Sequence, residues 1–357
     1  MSRLFVGSYQ SRRKPGVHCF DFDETTGRLS YLGSLSGIEN PSYLAWDEDL
    51  SRLYVVQESV ADPAICIVTV EANGSLALRS MQATSGAEPC FVATAPWPQP
   101  ALLVANYGGG SLDWFRVQSD GEITSLVQNV PHQGRGPHPI RQTAPHPHSV
   151  AWDPRAHTIW VPDLGLDAVV VYRRDDLALQ LRRVLTVPGR PGSGPRVLVF
   201  HPHAPYWYLA NELDSTVAAY RYQLDPTLSA TRQEVWSTLP EEVRDRENTV
   251  AHVALSWDLR RLYVSNRGYH SIAVFDVAPD GSHLERRAVV EVAAHVPRHF
   301  ALTPDGQWMI VAGQGADCLE VMHVEDDGVP IATGVTFPVE RPSCVLVETG
   351  HVRPWHH

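Results

Sequence analysis

Five side chains of this sequence combine reactive type with regular spacing: His148, Arg196, Glu212, Arg267 and Arg298. A carboxylate, an imidazole and several guanidiniums are the equipment of a general acid–base step on an anionic substrate, with the arginines stabilising developing negative charge. Lys14 is the only lysine among 29 Lys+Arg residues, so Schiff-base catalysis has almost no support. Any phosphate or carboxylate must then be held by Arg, His or backbone N–H groups. Taken alone, Arg196 and Glu212 read equally well as an ion pair holding one sheet edge together. The gathering of five such residues on one side favours a site.

That gathering follows from a repeat. A hairpin-like unit recurs, usually a proline, two residues, an apolar strand, a turn, and then an aromatic-apolar-x-polar strand. Its copies begin at Pro41, Pro89, Pro147, Pro195, Val250 and Pro297, and most are followed by a third strand-like run and a weaker fourth. Four short strands in roughly 45 to 58 residues describe a propeller blade. Pro342-Ser-Cys-Val-Leu-Val is a first strand without a successor, and Leu4-Phe-Val-Gly-Ser-Tyr9 is a second strand without a predecessor. Pairing them makes a seventh blade and hides two sheet edges. The expectation is an all-β, seven-bladed β-propeller spanning residues 1–357, its last blade formed by about 342–350 with 3–10.

Within a hairpin, the start of the first strand lies beside the end of the second. The interval between these positions is 16 residues in five blades: Ser42/Glu58, His148/Leu164, Arg196/Glu212, Ala251/Arg267 and Arg298/Gln314. Cys90/Tyr107 is one residue longer, and Ser343 meets Tyr9 across the closure. If first strands line the channel, these pairs ring one mouth of it. His148, Arg196, Glu212 and Arg267 are the catalytic candidates. Tyr107, His146, His252, Arg298, His299 and Gln314 are the substrate-binding candidates.

Composition narrows the remaining classes. A net charge of −11 argues against nucleic acid and anionic membranes as partners, and no apolar run is long enough to span a bilayer. The five cysteines form no C-x-x-C and suggest neither a disulfide framework nor a zinc knuckle, which makes a cytosolic address the default. His146 and His148 have no third ligand at a metal-site spacing, so no metal and no cofactor are expected. Gly108-Gly-Gly110 runs into strand residues and reads as a hairpin turn.

The segments Ala105-Asn-Tyr-Gly-Gly-Gly-Ser111, Pro147-His-Ser149, Val161-Pro-Asp-Leu-Gly-Leu-Asp167, Gly192-Ser-Gly-Pro-Arg196, Asn211-Glu-Leu-Asp-Ser-Thr216, Ser265-Asn-Arg-Gly268 and Pro297-Arg-His-Phe300 stand out along the chain. Together they resemble the propeller lactonases typified by bacterial 6-phosphogluconolactonase, with the fungal carboxymuconate lactonizing enzymes as relatives. The resemblance covers essentially the whole chain. It implies active-site roles for His148, Arg196, Glu212 and Arg267, and hydrolysis of a sugar lactone, 6-phosphogluconolactone first among them. Lactonization or cycloisomerisation of a carboxymuconate-like acid and a non-catalytic binding propeller are the alternatives. The sequence departs from the family pattern at Phe91, Val197, His252 and Ala254, where the family carries His, His, Glu and His. Either Glu212 or His148 serves as general base on this reading. Arg298, His299 and His252 are the spare cations for a substrate phosphate.

Overall fold

The computed structural model describes residues 2–348, apart from 96–99, 154, 156, 176, 177, 225 and 226. Its 28 strands form seven four-stranded antiparallel sheets. Blade 1 contains Leu44–Asp47, Arg52–Gln57, Ala64–Val70 and Leu76–Ala83; blade 4 contains Pro195–Phe200, Tyr206–Asn211, Thr216–Gln223 and Ser229–Ser237. Blades 2, 3, 5 and 6 repeat the plan from Pro89, Ala151, Val250 and Pro297. Blade 7 joins the two ends of the chain, with Pro342–Val347 as its first strand against Ser2–Ser8. Leu4 faces Val347, Phe5 faces Leu346 and Val6 faces Val345 in that closing pair. The expected closure is therefore present, while residues 349 and 350 of the expected strand lie outside the described residues.

The burial of each strand reflects its place in the blade. Second strands such as Arg52–Gln57 and Trp308–Gly313 are buried along their whole length. Outer strands alternate, as Leu76–Ala83 does, because one face packs inward and the other meets water. The core is divided into seven apolar clusters, each lying between two neighbouring blades. Tyr54 and Val56 of blade 1 pack with Leu102 and Phe115 of blade 2, for example. Leu4 and Phe20 of blade 7 pack with Ile310 and Val321 of blade 6. Seven interfaces among seven blades leave no terminal blade with an open apolar face. Among the described residues no helix is long and apolar enough to cross a membrane.

First strands of neighbouring blades contact one another and line the central channel. They enter it through a repeated backbone device. The residue before the opening proline has a positive φ in several blades: Asn40 (44°), Glu88 (50°), Gly194 (67°), Val296 (54°) and Arg341 (49°). For β-branched Val296 this is a strained conformation, of the kind that persists where surrounding structure enforces it. Immediately after the proline the ladder slips, between Pro89 and Phe91, Pro195 and Val197, and Pro297 and His299. Such a bulge releases one residue from the ladder and re-aims its side chain. The released residues include Cys90, Arg196 and Arg298.

Candidate active site

Six of the seven first-strand positions picked out by spacing converge on one narrow cavity: Ser42, Cys90, His148, Arg196, Arg298 and Ser343. Tyr43, Phe91, Val197, His252 and His299, one step further along their strands, complete its wall. The cavity offers about 20 Å³ to the centre of a water-sized sphere, room for about one water. The mouth above it holds the charged residues.

Glu212 is the hub of the mouth. Its Oε2 accepts hydrogen bonds from Arg196 Nε at 2.8 Å and lies 2.9 Å from Arg267 Nη2, while Oε1 accepts from Arg141 Nη2 at 2.6 Å. His148 Nε2 stands 3.9 Å from Oε2. Burial by itself would raise the Glu212 pKa, but the positive charges of Arg267, Arg196 and their neighbours outweigh it and hold the carboxyl well below its ordinary range. His148 moves the other way for its type: burial, reinforced by Arg196, pushes the imidazole well below 6.5 and keeps it neutral. Burial also lowers Arg196, to about 9, which still leaves it protonated near neutrality. Arg196 further donates to the carbonyl of Ala251, and Arg267 to that of Val250 at 3.1 Å. Arg196 thereby ties blade 4 to blade 5 through Ala251, and Arg267 does so through Glu212. The thiol of Cys90 donates to the His148 carbonyl at 3.5 Å and lies 3.8 Å from Nδ1.

A second carboxylate completes the mouth. Glu58 accepts from the hydroxyls of Ser42 and Tyr9, the latter at 2.9 Å to Oε2. Tyr9 in turn accepts from Arg298 Nη2 at 2.5 Å, with the Arg298 guanidinium 5.0 Å from the centre of its ring. Burial raises the Tyr9 phenol, so its proton stays in place to be donated to Glu58. Burial also raises Glu58, against the pull of Arg298. The spacing argument puts Ser42, Glu58 and Tyr9 on the ring and gives them no role. The structure joins them into a chain that runs from Glu58 through Tyr9 to Arg298. Four guanidiniums now face two carboxylates, a positive excess suited to an anion.

Sequence reasoning missed Arg141. It lies on the long connection between Ile123–Pro131 and Ala151–Asp153, where no repeat spacing applies. Its neighbour Gln142 is fully buried and anchors that connection, donating from Nε2 to Leu164 O at 2.8 Å and to Asp167 Oδ1 at 2.6 Å. Asp167 also receives the N–H groups of Gly192 and Gly194 at 2.6 and 2.8 Å, which fixes the loop leading into Arg196. One end of the connection is held by buried His132, whose Nδ1 lies 2.6 Å from Asp163 Oδ2 and whose Nε2 accepts from the Tyr172 hydroxyl at 2.8 Å. Asp163 Oδ1 accepts the N–H of His146 at 2.8 Å near the other end. The signal available in the sequence was an arginine inside an unusually long connection rich in Pro and His.

The other sequence candidates divide between rim and interior. Tyr107 accepts from Arg141 at 3.2 Å and so borders the Glu212 cluster. His146 stacks on Tyr107 with ring centres 4.3 Å apart, and its Nδ1 lies 2.9 Å from the Tyr107 carbonyl, so it braces the rim. Gln314 is half-buried at the end of its strand, and its backbone N–H donates to Val296 O at 3.1 Å. His252 and His299 lie deeper, stacked with ring centres 3.8 Å apart. Burial lowers both, His299 to about 3 with Arg196 and Arg298 as further causes, and His252 with His299 and Arg196 as further causes. They are therefore neutral and do not supply the positive charge expected of them; Arg298 is the one of the three that remains a cation. Among the described residues no three His, Cys, Asp or Glu side chains gather in a way that would hold a metal ion.

Comparison with known proteins places this geometry in context. The model of the family "Lactonase, 7-bladed beta-propeller" matches residues 3–347. The chain is 30% identical over 346 residues to the 6-phosphogluconolactonase of Bacillus subtilis, covering 94% of this chain and 96% of that protein. The structure of a periplasmic gluconolactonase from Pseudomonas aeruginosa superposes with a TM-score of 0.90 at 29% identity, over 97% of this chain and 99% of the other. A Lactobacillus plantarum protein is similar at a TM-score of 0.89 and 30% identity, with 97% and 99% covered.

Proposed function

The chain belongs to the family of seven-bladed β-propeller lactonases, and from that premise we propose that it hydrolyses 6-phosphogluconolactone to 6-phosphogluconate at the Glu212 mouth without a metal ion. The observation that carries this reading is the placing of Arg141, Arg196 and Arg267 around one carboxylate with neutral His148 beside it. A relative 30% identical along nearly its whole length bears the name 6-phosphogluconolactonase.

In this mechanism His148 is the general base. Neutral at working pH, it can take a proton from a water attacking the lactone carbonyl. Glu212, 3.9 Å away, stabilises the imidazolium that results. Glu212 is not free to take that proton, because both of its oxygens are engaged by guanidiniums. Attack places negative charge on the carbonyl oxygen, and Arg196 and Arg267 are the donors for it. Collapse of the tetrahedral intermediate breaks the ring C–O bond, and the proton on His148 passes to the leaving alkoxide. The carboxylate product stays within reach of the same arginines. Arg298, oriented by Tyr9, binds the phosphate. The five cysteines are free thiols, four of them buried, which supports a reducing, cytosolic workplace.

The test is hydrolysis of 6-phosphogluconolactone, followed as acid released at fixed pH with the spontaneous rate subtracted. Enzyme-dependent release that disappears in His148→Gln supports the proposal. Absence of release above the spontaneous rate in the folded protein refutes it.

A further inference from the structure

Two guanidiniums at the mouth are not committed to a carboxylate, and both lie against the same tyrosine. Arg141, Arg196 and Arg267 share Glu212, while Arg12 pairs with Asp62 and Lys14 with Glu340. Arg298 instead donates from Nη2 to the Tyr9 hydroxyl, with its guanidinium 5.0 Å from the centre of the Tyr9 ring. The guanidinium of Arg341 lies 5.6 Å from the same ring centre. Among the described residues neither arginine makes an ion pair. Nε and Nη1 of Arg298 have no protein partner and are not sealed from solvent, whereas the unpaired Nε of Arg267 is sealed.

The backbone sets Arg341 in this place. Among the positive-φ residues that precede an opening proline, only Arg341 carries a positive charge. Its N–H donates to Asp317 Oδ1 at 2.8 Å, and its carbonyl accepts the Tyr9 N–H at 3.0 Å. The main chain is thereby fixed between blades 6 and 7, while the side chain is exposed and free to change rotamer. Arg298 is the opposite case, since it sits at the bulge of its first strand and is held by a tyrosine that Glu58 orients. One cation is rigid and the other mobile. A guanidinium offers paired N–H groups that match a phosphate, and a dianion placed here meets two of them with no carboxylate at ion-pair distance to compete.

We propose that Arg341 is a specificity residue and the second arm of the phosphate subsite: Arg298 fixes the phosphate, and Arg341 closes on it from the rim. This assignment rests on the substrate being a phosphorylated sugar lactone. Because Arg341 acts on the phosphate rather than on the reacting carbonyl, it holds ground state and transition state alike, and its loss appears in KM.

Titration calorimetry on the full-length protein tests it without relying on turnover, with 6-phosphogluconate and gluconate as probes. The wild type should bind 6-phosphogluconate at least about tenfold more tightly. Arg341→Ala should weaken 6-phosphogluconate about fivefold and gluconate by less than about twofold, near the worth of one charged contact. Arg341→Lys, which keeps the charge and loses the fork, should fall between wild type and alanine. Arg12→Ala removes an equal charge from the loop that follows Tyr9, where Arg12 is already paired with Asp62, and should leave both affinities within about twofold. In turnover, Arg341→Ala should raise KM for the phosphorylated lactone about fivefold and lower kcat by less than about twofold. Equal wild-type affinity for the two acids would overturn the subsite. An unchanged 6-phosphogluconate affinity in folded Arg341→Ala, or an equal loss in Arg12→Ala, would overturn the role of Arg341. Phosphate-selective binding that depends on Arg341, in a protein that hydrolyses no lactone, would support the subsite and refute the hydrolytic reading alone.

Discussion

Replacing Arg196 by alanine separates a catalytic role from a structural one. Arg196 is only 5% exposed and makes two contacts, with Glu212 at 2.8 Å and with the Ala251 carbonyl. Breaking a buried ion pair ordinarily costs about 3–5 kcal/mol, because the surviving charge is stranded. Here Glu212 keeps Arg141 at 2.6 Å and Arg267 at 2.9 Å. The stability loss should therefore be smaller, about 1–3 kcal/mol, most of it from the unpaired carbonyl and the vacated volume. The catalytic loss should be larger. Removing one preorganised donor from an oxyanion costs about 2.7–4 kcal/mol, or roughly 10²–10³ in kcat. A folded, nearly inactive protein is expected, with thermal melting reporting the first quantity and acid release from 6-phosphogluconolactone the second. Arg141→Ala is the control. Its side chain is 37% exposed, so its loss should cost under about 1 kcal/mol of stability and act mainly on KM. A folded Arg196→Ala protein with kcat within threefold of wild type would refute the assignment and leave Arg196 as a brace between blades 4 and 5.

Further outcomes follow from other parts of the structure. Arg298→Ala should raise KM for phosphorylated lactone and narrow its preference over gluconolactone; Tyr9→Phe, which removes the hydroxyl oriented toward Arg298, should act in the same direction but less. Equal kcat/KM for the two lactones in the wild type would remove the phosphate from the proposed substrate. Stability should fall as pH drops below 6.5, because burial lowers His148 and His252, His18 to about 4 and His299 to about 3. Their folded pKa values lie below the unfolded one, so the unfolded chain takes up protons first, and for His18 and His299 this costs about 2 kcal/mol each by pH 5. A denaturation midpoint that is flat from pH 7 to 5 would contradict this. Deleting residues 342–348 should expose the edge of Ser2–Ser8 and cause aggregation, and a soluble deletion protein with unchanged melting temperature would contradict the closing role of that strand.

Much of this was legible from spacing, for a physical reason. A propeller blade repeats one hydrogen-bonding pattern, so equal intervals in sequence become equivalent positions in space, and Arg196, Glu212, Arg267 and His148 could be brought together without coordinates. The orphan strands at the two ends made the closure legible as well. Three things were hidden. Arg141 sits on a connection outside the repeat, and its position depends on the burial of Gln142. The Glu58–Tyr9–Arg298 chain depends on side-chain reach across the closure, which spacing does not encode. The neutrality of His252 and His299 depends on depth. A histidine beside arginines reads in sequence as another cation, but two stacked, buried imidazoles with no carboxylate between them cannot hold a proton.

That last point bears on substrate choice through His252. The lactonase pattern that this sequence resembles carries a glutamate there. Here the position holds an uncharged ring that shares the narrow cavity with Arg196 and Arg298. A carboxylate in its place would cancel part of the positive field of the mouth; the histidine leaves that field intact. The same four guanidiniums therefore face one negative charge fewer, and a doubly charged phosphate benefits more than a neutral sugar ring. His252→Glu should reverse this. At an effective dielectric near 20, one added charge within about 8–12 Å of the phosphate costs roughly 1–2 kcal/mol, so KM for phosphorylated lactone should rise about tenfold. KM for gluconolactone, which carries no charge, should change by less than about twofold. Steady-state kinetics on both lactones measures the difference directly, and raising the salt concentration should shrink it, because screening weakens the repulsion. An equal rise for both substrates would show that the glutamate only disturbs packing against His299. A folded variant with unchanged KM for the phosphorylated lactone would show that the phosphate lies out of reach of the partition, and would remove the basis for reading His252 as a determinant of substrate charge.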